Sequence, residues 1–176
     1  MQTRALILPG YNDSDPGHWQ SLWQTAQPNF SRVQQRDWDN PVCAEWVANL
    51  EKAVALAGEN VVLVAHSLGC LLVAHWAAQT QLKIKGALLA APPDPTATDF
   101  PKEIRGFAPL PMQALKFPSI IVASSDDPYG DLIFAQFCAV AWRSHFVNIG
   151  AAGHINTASG LGSWRVGFAL YQQLAA

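Results

Sequence analysis

Charge is scarce in this chain: of 176 residues only 14% are Asp, Glu, Lys or Arg, the formal net charge is -2, and no basic run occurs anywhere. Nucleic acid and anionic membrane surfaces, which are held mainly by clustered lysine and arginine, are therefore excluded as expected partners. No apolar run approaches the length needed to cross a bilayer. The amino terminus passes directly into Arg4-Ala5-Leu6-Ile7-Leu8, too short and wrongly flanked for a signal peptide, so the expected location is cytoplasmic. Cysteine is also sparse, with Cys43, Cys70 and Cys138 in apolar or helical contexts and without metal-ligand spacing. Reduced, packed thiols are expected, and neither a metal nor another cofactor.

What the chain has in quantity is apolar residues, 50% of the total, enough at this length for one domain with a buried central sheet. Short β-branched runs alternate with helical patterns. Strands are predicted near 4–8, 32–37, 60–65, 85–90, 119–124 and 144–149, and helices near 17–26, 42–57, 68–80, 129–141 and 161–174. That alternation predicts a single α/β domain over 1–176: a compact parallel sheet of about six strands, helices on both faces, right-handed crossovers and no cap domain. The one irregular stretch, Ala91 to Pro118, contains Pro92, Pro93, Pro95, Pro101, Pro109, Pro111 and Pro118. It reads as a short surface flap beside any site at the sheet's carboxyl edge.

The most informative segment is Val61-Val62-Leu63-Val64-Ala65-His66-Ser67-Leu68-Gly69, an apolar strand turning through a serine into an apolar helix. A serine on so tight a turn requires small neighbours two residues before and after it, here Ala65 and Gly69. Alanine at the first position departs from G-x-S-x-G by one methyl. The competing assignment for Ser67 is a helix N-cap after a buried strand.

Partners distinguish the two. A serine nucleophile needs a general base, and the base needs a carboxylate to orient it. In a fold with this elbow the chain order is serine, acid, histidine. Downstream, Ile120-Ile121-Val122-Ala123-Ser124-Ser125-Asp126-Asp127-Pro128 is a strand ending in two acids, and Phe146-Val147-Asn148-Ile149-Gly150-Ala151-Ala152-Gly153-His154 is a strand ending in a small-residue loop with a histidine. Both lie after strand carboxyl ends, where ligands bind in open parallel sheets. Spacing alone leaves Asp126 and Asp127 both open as the acid.

Nearly the whole chain resembles the small serine hydrolases of the α/β-hydrolase superfamily typified by retinoblastoma-binding protein nine and the bacterial YdeN type. The resemblance rests on Leu8-Pro9-Gly10-Tyr11, His18-Trp19, His66-Ser67-Leu68-Gly69, Ser125-Asp126-Asp127-Pro128 and Gly153-His154-Ile155-Asn156. It implies Ser67 as nucleophile, Asp127 as acid and His154 as base. The retinoblastoma-binding string Leu-x-Cys-x-Glu has its nearest counterpart in Pro41-Val42-Cys43-Ala44-Glu45, which lacks the leucine, so that protein partner is not implied.

The fold then supplies an oxyanion hole from the Leu68 amide and the Tyr11 amide, with Gly10 letting the first loop approach. His18 and Trp19 are candidates for shaping the substrate pocket, though an aromatic at that position also packs on a sheet. His66 reads as a buttress of the elbow, His75 and His145 as structural, and Asn156 and Trp164 as supports of the base loop. The expected reaction is hydrolysis of a small-molecule ester or related acyl bond through an acyl-enzyme, foremost a carboxylesterase on small to medium acyl groups. The alternatives are a non-catalytic binding protein on the same fold, an amidase or aminopeptidase-like hydrolase and, more weakly, a cofactor-free lyase or haloperoxidase.

Overall fold

The computed structural model describes residues 2–176. Six parallel strands, β1 (Arg4–Leu8), β2 (Phe30–Arg32), β3 (Val61–His66), β4 (Gly86–Ala90), β5 (Ser119–Ala123) and β6 (His145–Asn148), form one sheet in the order β2-β1-β3-β4-β5-β6. The helices are α1 (Trp19–Ala26), α2 (Cys43–Ala57), α3 (Leu68–Ala77), α4 (Leu132–Trp142) and α5 (Arg165–Ala175).

The period of two along the strands divides the apolar residues between two faces. Leu6, Leu8, Leu63, Ala65, Leu89 and Ile121 join the core beneath α2, α3 and α4. Ala5, Ile7, Val62, Val64, Leu88 and Val122 join the core beneath α1 and α5. Because both faces are covered, the central strands β3 and β4 are buried at every residue, which is why they read as continuous apolar runs. The tryptophans of the first half are divided in the same way. Trp19 and Trp23 pack with Phe30, Trp164, Phe168 and Tyr171 on the second face, whereas on the first Trp38 meets Trp46, which in turn meets Phe107.

Most predicted elements stand within a few residues of their places, and the displacements have local causes. The second strand, predicted near 32–37, occupies Phe30–Arg32 because its register pairs Phe30 with Ala5 and sinks the Phe30 ring into the aromatic core. After Arg32 only the Val33 amide continues, donating to Ile7 O at 3.0 Å. Helix α1 starts at Trp19 because His18 caps it, Nδ1 accepting from the Gln20 amide at 3.2 Å. Helix α4 starts at Leu132 because the Asp131 carboxylate caps the Phe134 amide at 2.8 Å. Helix α5 waits until Arg165 because Thr157–Ser159 forms a separate 3-10 turn, followed by Gly160 and Gly162 at positive φ.

The sheet's order places β1 beside β3, so the carboxyl end of β1 lies against the start of α3. A Cβ built at Gly69 collides with the carbonyl oxygen of Leu8. Gly69→Ala is therefore expected to lower stability by about 1–3 kcal/mol, the range for forcing atoms into a filled interior. Equilibrium urea unfolding checks it, since a substitution accommodated without loss would mean the β1–α3 contact yields.

Candidate active site

Ser67 sits between β3 and α3 with φ 54° and ψ -125°, a left-handed conformation that a residue with a Cβ rarely adopts. Its amide donates to Ala90 O at 2.9 Å and its carbonyl accepts from the Cys70 amide at 2.8 Å, so both sides of the turn are tied down. The hydroxyl makes no cap bond to α3. Instead Ser67 Oγ lies 2.8 Å from His154 Nε2. The geometry thus favours the strained-turn assignment over the helix cap.

His154 follows β6 on a loop rich in small residues. Its Nδ1 stands 2.9 Å from Asp127 Oδ1 and 3.0 Å from Oδ2. Asp127 is buried at the end of β5, its side chain only 1% exposed, and its Oδ1 also accepts the Tyr129 amide at 3.0 Å. Neighbouring Asp126 points elsewhere and is exposed. Its Oδ1 accepts from Ser124 Oγ at 2.7 Å and from the Gly153 amide at 2.8 Å. The Ser124 bond and then the Gly153 bond hold the Asp126 carboxyl below its ordinary range. One aspartate therefore meets the imidazole, and the other fastens the loop that carries it.

More of the chain holds that loop. Ser124 Oγ accepts the Ala152 amide at 2.9 Å, and Ser159 Oγ donates to Ala152 O at 2.6 Å. Asn156 and Ser159 form a reciprocal capping box on the 3-10 turn behind the histidine. His66 is fully buried under the loop, its Nε2 2.8 Å from the carbonyl oxygen of His154 itself. That bond requires the proton on Nε2, so His66 is a donor and the neutral tautomer fits.

A cavity of about 710 Å³ opens over Ser67, bordered by Gly10, Tyr11, His18, His66, Leu68, Tyr129 and His154. A Cβ at Gly10 would come 2.8 Å from Ser67 Cβ and 3.2 Å from both Ser67 Oγ and the Leu68 amide nitrogen. Glycine there keeps free the space beside Ser67 and the amide after it. Tyr11 and Leu68 both line this cavity, and neither amide is taken up by a backbone acceptor among the described residues. The proline-rich flap, free of helices and strands apart from one bridge between Arg105 and Val42, supplies another wall through Pro93, Ala97, Phe100, Pro101 and Ile104.

One sequence expectation needs revision. Trp19 does not border the cavity: it is 1% exposed, and its Nε1 donates to Ile155 O at 2.8 Å, so it supports the base loop from below. His18 does border the cavity, but as a buried helix cap rather than an open side chain. Tyr129 is a residue that motif reading passed over. Its half-exposed ring packs edge-on against His154, with centroids 4.6 Å apart. An aromatic just after the acid is a weak signal, because only the fold brings β5 and β6 together. His75 binds Phe107 O at 3.0 Å, outside the site. Among the described residues no group of His, Cys, Asp and Glu is arranged to hold a metal ion.

With the geometry in place, the comparisons with known proteins can be set beside it. A sequence model of the serine hydrolase family matches residues 5–173. The chain belongs to the serine hydrolase family. A solved structure described as a YdeN-like hydrolase from Pectobacterium atrosepticum is 33% identical, with 99% of this chain and 91% of that one covered and a TM-score of 0.87. The ydeN gene product of B. subtilis is 19% identical, with 98% of each chain covered and a TM-score of 0.79. A thermophilic esterase from Thermogutta terrifontis is 16% identical, with 98% and 90% covered and a TM-score of 0.66. The latter two are likenesses of fold. No curated protein sequence matches the chain. The hydrolase thus has an α/β-hydrolase fold, and among its described residues no helix is long and apolar enough to cross a membrane.

Burial also sets a titration in this hydrolase. Desolvation pushes His18 from 6.5 down to about 4, and pushes the fully buried His66 well below its ordinary value, with His154 and His18 adding to the effect. Both rings are neutral when folded and take up protons more readily when unfolded. Stability is therefore complete above pH 6.5 and declines as pH falls from there toward 4, His18 alone accounting for up to about 3 kcal/mol. Urea unfolding at pH 7.5 and 5 checks this, with a shallower decline expected in His18→Asn.

Proposed function

We propose that this serine hydrolase is a carboxylesterase that cleaves uncomplicated small to medium acyl esters through an acyl-enzyme on Ser67. The observation that carries the proposal is the unbroken chain of short contacts from Ser67 Oγ to His154 Nε2 and from His154 Nδ1 to the Asp127 carboxylate. His154 takes the Ser67 proton as Oγ attacks the carbonyl carbon, and returns it to the departing alkoxide. Water then repeats the sequence on the acyl-enzyme, with His154 again as base, and the acid leaves. Asp127 keeps the Nδ1 proton in place and stabilises the imidazolium formed at each step. The developing oxyanion is received by the Tyr11 and Leu68 amides, each typically worth about 3 kcal/mol in such a site. The short flap supports ester substrates of modest size, because a wall of Ala97, Phe100 and Ile104 leaves a pocket rather than a groove for extended peptide.

The direct test is a fluorophosphonate probe with intact-mass and peptide mapping. Stoichiometric labelling at Ser67, absent in Ser67→Ala and greatly slowed in His154→Ala, is the expected result. A folded wild type that resists labelling would favour a binding protein on a hydrolase scaffold.

The two aspartates offer a second test on p-nitrophenyl butyrate. Asp127→Asn is expected to lower kcat by roughly 10⁴-fold through loss of the tautomer it enforces. Asp126→Asn, which weakens a loop fastening without touching the imidazole, is expected to cost about tenfold or less. Equal losses would show that the two carboxylates do not divide their work as drawn.

A further inference from the structure

The cavity over Ser67 carries fixed charge of one sign. Asp13, Asp15, Asp94 and Asp99 line it, and neither lysine nor arginine does. Asp13 is neutralised by Arg32, with Nη1 2.6 Å from Oδ1. Among the described residues the other three have no cationic partner at hydrogen-bonding distance. Asp15 accepts from the Thr157 hydroxyl at 2.6 Å and from the Gly17 amide at 2.8 Å, bonds that hold its carboxyl below the usual range. Asp94 accepts from the amide and hydroxyl of Thr96 at 2.8 and 2.7 Å. Neutral donors of this kind do not cancel a carboxylate's charge.

The nearest histidines and flap cations leave these charges uncompensated in the cavity lining. His18 and His66 are buried and neutral at pH 7. Lys102 and Arg105 flank Ile104 on the flap, yet both are exposed and do not border the cavity, and Glu103 lies between them. The flap that carries Asp94 and Asp99 also supplies the apolar lining residues Ala97, Phe100, Pro101 and Ile104. A cleft with uncompensated charge of one sign lowers the local concentration of ligands of that sign.

We propose that the site selects uncharged acyl substrates and rejects those carrying a carboxylate or phosphate near the scissile bond, coenzyme A thioesters included. This rests on the acyl-transfer reading above. Rejection comes from Asp15, Asp94 and Asp99, while the flap wall receives the apolar limb of the neutral ester.

Two chromogenic esters isolate the charge: 4-butyryloxy-3-nitrobenzoate and its carboxamide, with the same acyl group, the same bond broken and almost the same volume. After correction for their hydroxide-catalysed rates, kcat/KM for the carboxamide is expected to exceed that for the carboxylate by about tenfold at low ionic strength. The gap should shrink to about twofold in 0.5 M salt, where screening is nearly complete beyond a few ångströms. It should also shrink in Asp94→Asn/Asp99→Asn, with the carboxamide serving as internal control for folding and chemistry. Equal kcat/KM for the two esters at low salt would overturn the inference, as would a preference that neither salt nor the asparagines alter. If wild type and Ser67→Ala hydrolysed both esters at the same rate, the acyl-transfer reading would fall and the inference with it.

Discussion

The backbone of Ser67 is the constraint on which the rest of the site depends. A strand must become a helix within one residue, and that is possible only in a conformation costing on the order of 1–3 kcal/mol. Such a turn drives the first residues of α3 into the end of β1, so Gly69 abuts Leu8 and Gly10 abuts Ser67 itself. The same crowding brings the loop after β1 alongside the hydroxyl, with Tyr11 and Leu68 lining one cavity. Strain and small residues are therefore one feature seen from two sides. What offsets the strain is the buried sheet beneath, in which β3 is flanked by β1 and β4 and fully covered.

A division of labour follows at the ends of β5 and β6. Asp126 and Asp127 are adjacent in the turn after β5 and reach different atoms of one loop, the Gly153 amide and His154 Nδ1. The buried one faces the imidazole, and the exposed one ties down the backbone at Gly153. Trp19, His66, Ser124 and Ser159 add four further fastenings to the loop from Ala152 to Ile155. Holding a base in register with its serine takes more residues than the chemistry itself.

The strand–serine–helix pattern and the order serine, acid, histidine were legible because each follows from a local rule: apolar run, small flanking residues, strand carboxyl end. The six-stranded parallel sheet was legible for the same reason, since buried strands appear as unbroken apolar segments. The short strand at Phe30 was not, because its position is set by pairing with β1 rather than by its own three residues. Nor were the starts of α1, α4 and α5, which depend on individual caps and left-handed residues. The sequence could not separate Asp126 from Asp127, a matter of direction rather than of composition. Trp19 was a pocket candidate because it begins the first helix near the expected mouth, but packing on the sheet, the other reading open to it, is where the indole goes. Tyr129 escaped notice because its contact with His154 crosses from one strand end to the next.

The long separations within the site bear on how the molecule comes into being. Ser67 and His154 are 87 residues apart, and the loop bearing His154 is reached only through β6, the outermost strand. Parallel pairing offers no hairpin shortcut, so these contacts must await closure of long chain segments. A chain in which only β1, β3 and α3 had formed would hold Ser67 without His154. The contact between them is thus completed only when β6 docks on β5, and a half-folded chain cannot make it.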